Sequence, residues 1–61
     1  MSKQTAIQAA VNAVATATTV TNSYGKGSPE AESALQAARD AVTTARQHGA
    51  TDTDLRNTHP Q

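Results

Sequence analysis

Three clusters in this 61-residue chain hold side chains that could do chemistry. His48, Asp52 and Asp54 carry imidazole and carboxylate groups of the kind that bind cations. His48 and Asp52 have the i,i+4 spacing of one helix face, but Gly49 falls between them and is a helix-ending residue. A helix C-terminus followed by a new N-cap accounts for all three, so no metal site is assigned. Gly25-Lys26-Gly27-Ser28 places Gly, Lys and Ser ahead of a helix start, as phosphate-binding loops do. It lacks the spacing of that motif, and Glu30 and Glu32 in the next turn oppose an anion. No Ser, His and Asp arrangement suggests a nucleophile and its base. The expectation is a non-enzymatic protein with no cofactor.

The third cluster is cationic. Arg39 and Arg46 are seven residues apart and share one edge of a helix, and Arg56 follows further on. Such a row could touch phosphates on nucleic acid. It reads equally as the charged rim of a helical bundle, pairing with Glu32, Asp40 or a partner chain. No Phe or Trp is present for base stacking, which favours the rim.

A fourth feature is notable for lacking charge. No ionisable side chain falls between Gln4 and Ser23. At about 100° per residue, Thr5, Asn12, Thr16, Thr19 and Ser23 line up on one face. Exposed helix faces usually carry Lys, Glu or Arg, which form helices more readily than Thr. This stripe reads as a neutral contact surface for a protein partner, or as plain solvated surface in an Ala/Thr-rich chain.

The segment from Ala45 to Leu55 is similar to the first half of a bacterial helix-turn-helix. There one helix ends near Gly-Ala-Thr, here Gly49, Ala50 and Thr51, and the next carries a Leu or Ile four residues after the Thr, here Leu55. The resemblance implies a recognition helix to follow, and six residues after Leu55 are too few for one. A hairpin of this size also resembles the small helical RNA-binding modulators of plasmid replication. Their aromatic residue on a polar helix face has no counterpart here.

These side chains must be positioned by helices. Ser2 is a good N-cap, and Ile7, Ala10, Val14, Ala17, Thr21 and Tyr24 recur at spacings of three and four, predicting a helix to about Ser23. Val11 and Val20 widen that seam. Gly25 and Gly27 break it. Ser28-Pro29-Glu30 is a strong start signal, with Ser at N-cap, Pro at N1 and an acid in the first turn. Ala31, Leu35, Ala38, Val42 and Ala45 then predict a second helix from Pro29 to about His48. Ala34 and Ala41 thicken one edge of its stripe. Thr51-Asp52-Thr53-Asp54 is a capping-box variant that opens a short helix over Asp52 to Asn57, from which Leu55 can fold back. No period-two pattern predicts a strand.

The fold class is therefore all-α: an antiparallel helical hairpin with a short C-terminal helical turn, one domain over 1–57, and a frayed tail over 58–61. Composition says how it should be completed. Thirteen residues are Ala and ten are Thr, with no Cys, Trp or Phe. Large apolar side chains are few: Met1, Ile7, Val11, Val14, Val20, Tyr24, Leu35, Val42 and Leu55. Chains this small usually add disulfides, a metal or self-association, and without Cys the first is impossible. The seams alternate large and small residues, so two hairpins could face each other as a four-helix-bundle homodimer. Self-association is expected to use Ile7, Ala10, Val14, Ala17, Ala31, Leu35, Ala38, Val42 and Ala45.

Five basic and five acidic residues leave no net charge, against a nucleic-acid-wrapping domain. No apolar run is long enough to span a membrane, and no signal peptide is visible. The expected compartment is the cytoplasm. The expected function is a small interaction or regulatory protein acting through the self-associating hairpin. The alternative is a nucleic-acid accessory protein using Arg39, Arg46 and Arg56.

Overall fold

The computed structural model describes residues 2–60; Met1, counted above among the large side chains, and Gln61 of the tail lie outside them. Three helices follow in order: α1 over Lys3–Tyr24, α2 over Pro29–Gln47 and α3 over Asp52–Asn57. No strand occurs among the described residues.

Each helix end has a local cause. The Ser2 hydroxyl accepts from the Thr5 N–H at 3.2 Å, satisfying one of the donors a helix start leaves open. The Ser28 hydroxyl does the same for Ala31 at 3.1 Å, with Pro29 in the first turn of α2. Between them, Gly25 takes φ 95°, where a Cβ would be strained, and its N–H closes α1 onto the Thr21 carbonyl at 2.9 Å.

The end of α2 is a Schellman motif. Gly49, at φ 94°, donates to the Arg46 carbonyl at 2.9 Å, and Ala50 donates to Ala45 at 3.0 Å. Two orphan carbonyls are satisfied, and Ala50 is brought onto Ala45 in the core. Thr51 then caps α3. Its hydroxyl accepts from the Asp54 N–H and its own N–H donates to the Asp54 carboxylate, both at 3.1 Å.

The helices pack as an antiparallel hairpin. Ala6, Ile7 and Ala10 near the start of α1 cluster with Ala45 and Ala50 at the end of α2. Helix α3 crosses that end and lays Leu55 against the cluster, beside Val11, Ala41 and Val42. The outer face of α2, from Ser33 through Gln36, Asp40, Thr43 and Gln47, is exposed.

The depth order differs from a reading in which the largest side chains are buried deepest. Ala10, Ala17, Ala31, Ala38 and Ala45 are the buried residues of the two seams, with Ala6 and Ile7 beside them. No large side chain is fully buried among the described residues. Val14 is 46% exposed, Leu35 39% and Tyr24 62%. The reason is geometric. Alanines at the line of closest approach let the backbones come together, and larger neighbours are displaced to the flanks. Ile7 escapes because α3 and Ala50 cover its flank. Tyr24 sits in the last turn of α1, where the chain leaves toward Ser28.

The tail makes specific contacts. Gln8 Nε2 donates to the His59 carbonyl at 2.9 Å, and the Thr58 hydroxyl donates to the Asp54 carbonyl at 2.8 Å.

Candidate functional site

The most prominent surface feature is an apolar groove on one side of the hairpin. Val14, Ala17, Thr18 and Thr21 of α1 form one wall, and Leu35, Ala38 and Val42 of α2 form the other. Arg39 and Arg46 stand on its α2 rim. A second groove continues from it past the α3 end, lined by Ala10, Val11, Val14, Val42, Leu55, Arg56 and Pro60. Val14 and Val42 belong to both. The apolar face therefore runs along much of the hairpin. Where α3 lies over it, Ile7 is 3% exposed; beyond α3, Val14 and Leu35 are open to water.

The residues expected to self-associate divide accordingly. Ala10, Ala17, Ala31, Ala38, Ala45 and Ile7 are used up inside one chain. Val14, Leu35 and the half-buried Val42 remain available to a partner.

The three arginines have different surroundings. Arg46 Nη2 donates to Asp52 Oδ1 at 3.1 Å across the Gly49 turn. This pair is exposed and contributes at most about 1 kcal/mol, but it partly neutralises Arg46. The partners anticipated from α2 itself, Glu32 and Asp40, do not bind it, and Asp40 instead accepts from Gln36 at 3.2 Å. Arg39 and Arg56 are exposed and have no ion pair among the described residues.

The carboxylates near His48 are occupied by structure. Asp52 holds Arg46, and Asp54 closes the α3 cap and lies 3.4 Å from Lys3 Nζ. No group of three or more His, Asp or Glu suited to a metal occurs among the described residues. The Thr51 N–H holds the Asp54 carboxyl below its ordinary value; desolvation, the next-largest influence, opposes it, and the Lys3 ammonium adds to the lowering. With the folded carboxyl more acidic than the unfolded one, its stabilisation is full above the unfolded pKa and is lost as pH falls through the folded one. An NMR titration of Asp54 should therefore show a midpoint below that of an unstructured aspartate. Lys3→Ala should raise it only part of the way, since the Thr51 amide remains. A native midpoint at or above the unstructured value would mean that the capping bond is absent.

The neutral face of α1 is mixed. Thr5, Thr16 and Thr19 are exposed, whereas Asn12 is half-buried. Asn12 accepts from Gln8 at 3.0 Å, and Pro60 comes up beside Asn12, Thr16 and Thr19. The Thr18 and Thr19 hydroxyls each donate at 3.1 Å to the carbonyl four residues back. Those two threonines thus satisfy their own hydroxyls, a common resting state for Thr in a helix. Gln8, which joins the stripe to the tail, was not singled out by the sequence. Its i,i+4 spacing to Asn12 was a usable signal, but its bond to His59, 51 residues away, was not.

The fold and surface define a class: a small all-α hairpin with a short third helix and an open apolar groove. No family model, curated protein or solved structure matches the chain. No helix among the described residues is long and apolar enough to cross a membrane.

Proposed function

We propose that this chain is a non-enzymatic interaction protein that works as a self-associated helical hairpin, with a second copy as its first partner. The observation that carries this reading is the exposure of Val14 and Leu35 on either side of one groove. A chain with so few large apolar side chains leaves Val14 and Leu35 exposed beside this groove, next to the half-buried Val42. Burying a Val or Leu fully is worth roughly 1.5–3 kcal/mol, and somewhat under half of that remains to be gained at each of Val14 and Leu35.

Size is compatible with a second copy. A standard dimer interface buries about 800 Å² per partner, about a fifth of the 4121 Å² surface of this chain. A long face of 32 × 18 Å offers area of that order. The nucleic-acid reading draws less support. Arg46 is engaged by Asp52, and Glu32 lines a separate depression of α2 together with Arg39.

Sedimentation equilibrium of the pure chain tests the proposal. The weight-average mass should rise with concentration toward twice the monomer value, and Tm should rise with it by mass action. Leu35→Ala should suppress both while costing little in the monomer, where Leu35 is already part-exposed. Association should persist in 0.5 M salt, where phosphate contacts would weaken steeply. A chain that stays monomeric and fully helical at millimolar concentration would refute the proposal.

A further inference from the structure

We infer that the second copy docks α2 against α2, antiparallel about a two-fold axis beside Leu35, with Glu32 of each protomer meeting Arg39 of the other. This rests on the self-association proposed above and specifies its geometry.

Glu32, Leu35 and Arg39 line one depression on the outer flank of α2, and Leu35 also lines the main groove. Both charged residues are exposed and neither has an ion pair among the described residues. The helix itself cannot supply one. They lie two turns apart, roughly 10 Å along the axis, too far to meet directly. Positions three and four residues from each hold no opposite charge: Leu35 and Gln36 follow Glu32, while Leu35, Gln36, Val42 and Thr43 surround Arg39. Nor can α1 supply one, because it carries no charged side chain after Lys3. Across the groove Arg39 faces Val14, Thr18, Thr21 and Asn22.

A second copy supplies both partners at once. The midpoint between positions 32 and 39 falls between Leu35 and Gln36. A two-fold axis there, perpendicular to α2, carries each helix onto an antiparallel mate and preserves the side on which a residue stands. It therefore sets Glu32 beside the partner's Arg39, and Arg39 beside the partner's Glu32, at the same height. The two exposed Leu35 side chains meet near the axis. This is an isologous contact, self-complementary as a closed dimer requires, with an apolar centre and a charged rim.

Charge reversal tests the geometry. In Glu32→Lys, the introduced lysines face the partner's Arg39 at both symmetric positions. In Arg39→Glu, two acids face the partner's Glu32. Each variant should stay helical by circular dichroism, since both sites are exposed, and should dimerise at least about tenfold more weakly than wild type. An equimolar mixture of the two should form a heterodimer, because opposite charges then meet at both contacts. The double variant should recover the homodimer for the same reason. Raising salt to 0.5 M should shrink these differences without dissolving the wild-type dimer.

If wild type dimerises and the reversals dimerise equally well, or if mixing restores nothing, this interface is wrong and self-association stands by another face. A wild-type chain that never dimerises would overturn both proposals.

Discussion

Ile7→Ala is expected to destabilise the folded chain by about 2–5 kcal/mol, the usual cost of truncating a buried aliphatic side chain to alanine. Among the described residues, Ile7 is the only buried side chain larger than alanine. It lies where all three helices converge, against Ala6, Ala10, Ala45 and Ala50, with Val11, Val42 and Leu55 around them. Its buried neighbours are alanines on backbones already held close, and these cannot collapse into the space left behind. The loss should therefore fall toward the upper part of that range. It should also loosen α3, whose Leu55 packs against this cluster. Thermal unfolding by circular dichroism, at a concentration low enough to keep the chain monomeric, measures the effect. Leu35→Ala under the same conditions should cost much less, because Leu35 is 39% exposed in one chain. If the two variants melt together, the depth order drawn from the hairpin is wrong.

Helix ends were legible in the sequence because their causes are local. Ser2, Ser28-Pro29, Gly49 and the Thr51-to-Asp54 box each act within four residues, and each is found where its side chain places it. The hairpin was legible because two apolar stripes of period 3.6 joined by a short loop have few other ways to pack. Which members of a stripe are buried was not. Periodicity treats Ile7 and Val14 alike, one seam position and two turns apart. Only the placement of α3 distinguishes them, and that depends on the Schellman turn at Gly49. Arg46 and Asp52 meet across that same turn, so their pairing was hidden behind a change of chain direction. The tail bond between Gln8 and His59 is longer in range still. The groove exists because the alanines form the contact line and larger residues stand on its flanks.

The alanine contact line has the second large consequence. Ala45→Leu should destabilise by about 1–3 kcal/mol or more through overpacking, although leucine is more hydrophobic and nearly as good a helix former. Ala45 has no exposed surface and packs in the cluster that contains Ile7 and Ala10. Three added carbons have no void to enter. The helices must separate, or Ala50 and α3 must be pushed off the end of α2. Separation would weaken every alanine contact along the seam, since dispersion falls steeply with distance. Displacement would also strain the turn in which Ala50 donates to the Ala45 carbonyl. Ala37→Leu is the control. It makes the same chemical change in the same helix at an exposed position, and should stay within about 0.5 kcal/mol of wild type. Two variants of identical composition should therefore differ markedly in Tm, with Ala45→Leu the lower. Equal melting temperatures would show that the helices do not approach at Ala45, and a groove flanked by displaced Val14 and Leu35 would lose its physical basis.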